Sequence, residues 1–118
     1  MSLKRLHPGP RMSQAVIHNQ TVYLAGQVAT GALGGTVTEQ TKDVLSNIDS
    51  LLAQAGTDKT NILSATIWLT DMSSFSEMNV VWEAWLAGCP TPARATATSP
   101  RLASPDFNVE IVIIAALP

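Results

Sequence analysis

Val109-Glu110-Ile111-Val112-Ile113-Ile114-Ala115 is the stretch on which the fold turns. Side chains alternate across a strand, so Val109, Ile111 and Ile113 point one way while Glu110, Val112 and Ile114 point the other. Both faces are largely apolar. A strand of this kind belongs in a sheet that is covered on two sides. Upstream, Pro100, Ser104, Pro105 and Asp106 make a polar connection to a shorter strand, Ala93 to Thr98, and the last strand itself is expected over Phe107 to Ala115. A third strand is predicted from Ile62 to Thr70, with Leu63, Ala65, Ile67 and Leu69 on one side and Ser64, Thr66, Trp68 and Thr70 on the other.

Two helices separate these strands from what precedes them. Thr36-Val37-Thr38-Glu39 has the spacing of a capping box, in which the first side chain and the fourth satisfy each other's backbone N–H groups. Val44, Leu45, Ile48, Leu51, Leu52 and Ala55 follow on one helical face, and Gly56 suits a left-handed ending. Ser74-Phe75-Ser76-Glu77 repeats the capping pattern ahead of a stripe of Phe75, Met78, Val81, Trp82, Trp85 and Leu86, closed by Gly88 and Pro90. Near the start, Ala15-Val16-Ile17 and Val22-Tyr23-Leu24-Ala25 flank His18-Asn19-Gln20-Thr21 and predict a hairpin. The order β-β-α-β-α-β-β places two helices on one face of a mostly antiparallel α+β sheet, a single domain over residues 1–118. Two helices cover only one face. The other, bordered by Ala93, Ala95 and Ala97, is expected to be buried against copies of the same chain.

Composition agrees with self-association. Charged residues make up 14% of the 118 positions, against roughly 25% in an average soluble domain, while 46% are hydrophobic. A net charge of −2 with scattered Lys and Arg offers no footprint for a phosphate backbone, so nucleic-acid binding is not expected. Cys89 is the only cysteine and predicts a reducing compartment; no apolar run approaches membrane-spanning length, and a soluble, cytoplasmic protein is expected. His7 and His18 have no acidic or cysteine partners at metal-ligand spacing, so neither a metal site nor a cofactor is predicted.

A set of landmarks spans almost the whole chain in order: Gly9-Pro10-Arg11-Met12-Ser13-Gln14-Ala15, Ala25-Gly26-Gln27, Phe75 to Asn79 with Trp82-Glu83-Ala84-Trp85, Pro92-Ala93-Arg94, and Val109-Glu110-Ile111. Each is weak alone. Together the set resembles the Rid (YjgF-like) family, and its Arg-x-Ser start and Val-Glu-Ile ending are most similar to the YoaB-like branch. The resemblance implies a chorismate-mutase-like fold, a homotrimer, and ligand sites in clefts between subunits. It also implies, for the best-known branch, hydrolysis of reactive 2-imino acids and their enamine tautomers to 2-keto acids and ammonia.

Arg94 is the leading candidate site residue. On its strand it shares a side with Thr96 and Thr98, and a guanidinium can clamp a carboxylate through two parallel hydrogen bonds. The family resemblance gives it that anchoring role; a structural ion pair is the alternative. In the imine-hydrolysing branch two glutamates alternate on the last strand, and the second places the attacking water. Alignment puts Glu110 at the first position and Val112 at the second. Val112 is thus a departure from the active pattern, and Glu110 enters the site only if the strand pairing slips, because the two positions lie roughly 7 Å apart. Met12 stands where that branch has a tyrosine, and is either an apolar pocket wall or packing. Gly26 either admits a ligand to the backbone or serves a tight strand end, Thr96 offers a hydroxyl for substrate or water, and Asn79 is expected to be structural. Two functions follow: an imine/enamine deaminase, or a non-catalytic module binding a small carboxylate. A ribonuclease role, attached by name to relatives, finds no basic stripe to support it.

Overall fold

The structure is a computed structural model that describes residues 3–118. Its strands are β1 (Lys4–Leu6), β2 (Ala15–His18), β3 (Thr21–Leu24), β4 (Gln27–Val28), β5 (Ile62–Leu69), β6 (Ala93–Thr98) and β7 (Val109–Ala116). Its helices are α1 (Val37–Ala55) and α2 (Phe75–Trp85). The sheet runs β1-β2-β3-β7-β5-β6, with β4 also pairing with β7, and only β5 and β6 run parallel. The predicted order is present, joined by the two short strands β1 and β4. Neither is long enough to leave an alternating signature.

β7 is central because it can be buried on its whole inner face. Val109, Ile111, Ile113 and Ala115 are fully buried in one core with Val44, Leu45, Ile48 and Leu52 of α1 and Met78, Val81 and Trp82 of α2. Each large aliphatic side chain among them contributes about 1.5–3 kcal/mol relative to exposure. On the opposite face Val112 and Ile114 are only half-buried in the single chain, and Tyr23, the cross-strand partner of Ile114, is 46% exposed. Ala93 and Ala95 are exposed on β6, one strand beyond β5. Both helices lie on one side of the sheet, and an apolar face is left on the other.

Local chemistry explains the element ends. Thr36 Oγ1 accepts from Glu39 N at 3.1 Å while the Glu39 carboxylate accepts from Thr36 N at 2.9 Å, the reciprocal box expected at the start of α1. Gly56 ends it at φ 92°, a left-handed conformation that a Cβ disfavours. The β2–β3 hairpin turns on Asn19 and Gln20, both at positive φ, as the twist of a two-residue connection requires.

Three sequence expectations are corrected. The second capping box does not form. A 3-10 turn over Met72–Ser74, capped by Asp71, already holds Ser74 at φ −88° and ψ 4°, outside the extended region in which an N-cap side chain reaches forward. Glu77 is thereby released and accepts from Thr38 N (2.8 Å) and Thr38 Oγ1 (2.9 Å), tying the start of α2 to the start of α1. Leu63 is 51% exposed rather than inward, because an irregularity in the β5–β7 register between Ile62 and Ser64 resets the alternation. The last strand begins at Val109, not Phe107, because the preceding backbone is claimed by a buried side chain. Gln40 of α1, wholly buried, accepts from Asn108 N at 2.7 Å and donates to Asp106 O at 2.8 Å.

Candidate functional site

Arg94 lies on β6, an edge strand, in register with the buried Ala65 of β5. Alternation therefore turns its side chain to the helix-covered side, not to the alanine side. Its Nη1 donates to Asn79 Oδ1 at 2.7 Å. The guanidinium also lies over two rings of α2, 5.6 Å from the Phe75 centroid and 5.8 Å from that of Trp82. Phe75, Asn79 and Trp82 fall four and three residues apart, the spacing that brings side chains onto one helical face. The expected wall of hydroxyls is thus an amide and two aromatic rings. Asn79 makes the structural hydrogen bond expected of it, and its partner is Arg94.

This arrangement orients the arginine without exhausting it. A guanidinium carries five N–H donors in a planar fork, and the bond to Asn79 uses one. Thr96 is two residues along the same strand, roughly 7 Å away and on the same side. Its Oγ1 is buried and, among the described residues, has no hydrogen-bond partner. A buried polar atom in that condition favours a ligand or water that supplies the missing bond.

Glu110 is on the other face. It is paired with Trp68 of β5 and Val28 of β4, and its carboxylate lies against Gly26. A Cβ built on Gly26 would come within 2.4 Å of Glu110 Oε2, so glycine is what permits the approach. In this register Glu110 reaches the glycine, and Val112 keeps the position that the resemblance gives to the second glutamate. Val112, opposite Thr66, occupies the next position on the same face. Met12, 52% exposed, joins Gly26, Gln14, Gln27 and the α1 residues Asn47 and Ser50 around a cleft of about 500 Å³. Gln27, nearly buried, donates to Gln14 Oε1 at 3.1 Å and to Ala25 O at 2.9 Å, which stiffens that wall.

Two groups of residues result: Arg94, Thr96, Asn79, Phe75 and Trp82 in one, and Glu110 with Gly26 in the other, where Gly26 also borders the cleft that Met12 lines. A single chain does not bring them together. β6 is separated from β3 and β4 by β5 and β7, three ladder steps or roughly 14 Å, and Arg94 and Glu110 leave opposite faces of the sheet.

An α+β chain with two helices on one sheet face, an arginine at an edge strand and a Gly-Glu contact near the sheet centre has the YjgF class of fold. The pattern of the family described as Endoribonuclease L-PSP matches residues 2–117, and the chain belongs to that family. It is 44% identical over 115 residues to a RutC family protein of Haemophilus influenzae, covering 98% of both chains. It is 38% identical over 117 residues to the RutC family protein YoaB of Escherichia coli, covering 99% of this chain and 100% of that one. A 2-iminobutanoate/2-iminopropanoate deaminase of Bos taurus is 41% identical over 88 residues, which is 70% of this chain and 64% of that protein. Among solved structures, a YjgF family member of Neisseria meningitidis, NMB1025, superposes with a TM-score of 0.94 at 44% identity, covering 100% of this chain and 97% of that one.

Proposed function

We propose that the chain hydrolyses small 2-imino acids, and their enamine tautomers, to 2-keto acids and ammonia in clefts between the subunits of a homotrimer. The observation that carries this reading is Arg94, held by Asn79 and two aromatic rings with donors to spare. Its fork suits the carboxylate common to imino and keto acids. The unpartnered Thr96 hydroxyl is then available to the ligand or to water. A neighbouring copy supplies what the first chain lacks. With the apolar sheet face buried between copies, Gly26, Met12 and Glu110 of one subunit meet the Arg94 group of the next.

The chemistry asked of such a site is modest. Water adds to the carbon of a protonated C=N bond, giving a carbinolamine; a proton moves from that oxygen to the nitrogen; ammonia leaves as the C=O bond forms. The Thr96 hydroxyl and backbone groups hold the water, and Glu110, placed against Gly26, relays the proton. The protein contributes position more than activation. The relationship to the bovine deaminase supports the reaction class.

Val112 favours a second reading, in which the same cleft binds a small carboxylate metabolite without turning it over, because the imine-hydrolysing pattern has a glutamate there. One experiment separates the two. Imino acid is generated in situ with an amino acid oxidase or dehydratase, and ammonia release is followed with and without the protein. Acceleration supports the deaminase; keto-acid binding without acceleration supports the binding module. A ribonuclease activity gains nothing from a chain of net charge −2 whose cations are dispersed.

A further inference from the structure

Past the ends of β5 and β6, and before β7, lies a second cleft of about 560 Å³ bordered by Thr70, Arg101, Leu102, Ser104, Phe107 and Asn108. None of these residues touches Arg94, all come from one chain, and Arg101 and Leu102 also line the adjoining cleft that Glu110 borders. The wall is firmly built. Buried Gln40 holds Asn108 N and Asp106 O from below, at 2.7 and 2.8 Å, so the backbone beneath the cleft is fixed to α1. Ser99 Oγ donates to Arg101 O at 2.6 Å and fixes the base of the exposed Arg101 side chain at the rim.

The polar groups left to this cleft share one character. Thr70 Oγ1 donates to Asn108 Oδ1 at 3.0 Å, which occupies the amide oxygen and leaves the amide NH2 to the cleft. Ser104 Oγ accepts from Asp106 N at 3.2 Å, leaving its O–H as a donor. With the Arg101 guanidinium these make a set of donors, set beside the apolar surfaces of Leu102, Phe107, Pro100 and Pro105. A pocket of donors on an apolar wall selects an acceptor-rich anion carried on an apolar body. One guanidinium balances one negative charge. Glu110 borders the adjoining cleft that Arg101 also lines, so a dianion such as phosphate is disfavoured.

We propose that this cleft is a second small-molecule site, separate from the Arg94 anchor, for a monocarboxylate on a compact aromatic or branched apolar body. Binding here needs no second copy. The test is a titration of the full-length protein with benzoate, followed residue by residue through backbone amide NMR shifts, in wild type and in Arg94→Ala, Arg101→Gln and Asn108→Asp. The expected result is saturable shifts at Thr70, Leu102, Phe107 and Asn108 that survive Arg94→Ala. Arg101→Gln should weaken binding about tenfold or more through loss of the charge-assisted bond. Asn108→Asp, which turns a donor into a carboxylate, should weaken it further; if that variant folds poorly, Arg101→Gln decides alone because its side chain is exposed. Shifts confined to Phe75, Asn79 and Arg94 and lost in Arg94→Ala would overturn the proposal. So would wild-type affinity in Arg101→Gln, or no shifts at millimolar benzoate.

Discussion

Replacing Arg94 by alanine removes both a proposed ligand anchor and a visible set of internal contacts, and the two losses differ in size and readout. On the ligand side, a bidentate charge-assisted pair in a partly desolvated cleft is worth on the order of 2–5 kcal/mol, or about thirtyfold to several thousandfold in affinity. On the structural side, the variant gives up the 2.7 Å bond to Asn79 and the approach to Phe75 and Trp82. For a half-buried side chain that amounts to about 1–3 kcal/mol. The melting temperature should therefore fall measurably while the protein stays folded. Asn79→Ala shares the loss of the hydrogen bond but keeps the guanidinium and its approach to the rings, so it serves as the control for that part of the structural loss. Arg94→Lys should recover only part of the affinity, since an ammonium lacks the planar fork. The assay is calorimetry with pyruvate or 2-oxobutanoate, alongside ammonia release from imino acid generated in situ. If Arg94→Ala binds the keto acid as wild type does, or loses no more affinity than Asn79→Ala, the arginine is structural and the functional assignment loses its support.

Sedimentation at micromolar concentration should show a trimer, and a monomer there would remove the intersubunit site. Val112→Glu should raise imine hydrolysis by adding a second carboxylate two residues from Glu110, whereas Glu110→Gln should lower it with little effect on keto-acid affinity; a gain in the second variant would reverse the assignment. Gly26→Ala should depress turnover more than stability, because the new methyl displaces a flexible carboxylate that it would otherwise meet at 2.4 Å; unaltered kinetics would sever Gly26 from the site. Glu39, Asp58 and Asp71 have carboxyls held below the ordinary range by hydrogen bonds from Thr36, Thr60 and Ser73 respectively. Because the folded state prefers them ionised, their contribution is fully present above the ordinary carboxylate range and is lost as pH falls from there through their lowered folded-state values. Acid unfolding should accordingly flatten in the Glu39→Gln, Asp58→Asn, Asp71→Asn variant, and an unchanged acid limb would show that these bonds persist in the unfolded chain.

Elements whose signals are local were legible in the amino-acid sequence. The α1 capping box and Gly56 ending, the stripe on α2, the β2–β3 hairpin and the alternation of β7 each follow from contacts within a few residues, and each is present. The apolar second face was legible for the same reason, since alternation assigns Val112 and Ile114 to one side whatever the rest of the chain does. Ordered landmarks were enough to indicate the family. Features that depend on distant partners emerged only in the folded chain. It gave Glu77 to Thr38 rather than to its own helix start, turned Leu63 outward through a bulge, and set Asn79 beneath Arg94. It also brought Glu110 against Gly26 while leaving Arg94 on the opposite face, three strands from that glycine's neighbours. Those pairings lie between 15 and 84 residues apart in the chain, as in Arg94 with Asn79 and Glu110 with Gly26. Local residue type and spacing do not specify such pairings, because strand order and register are settled only when the whole core packs.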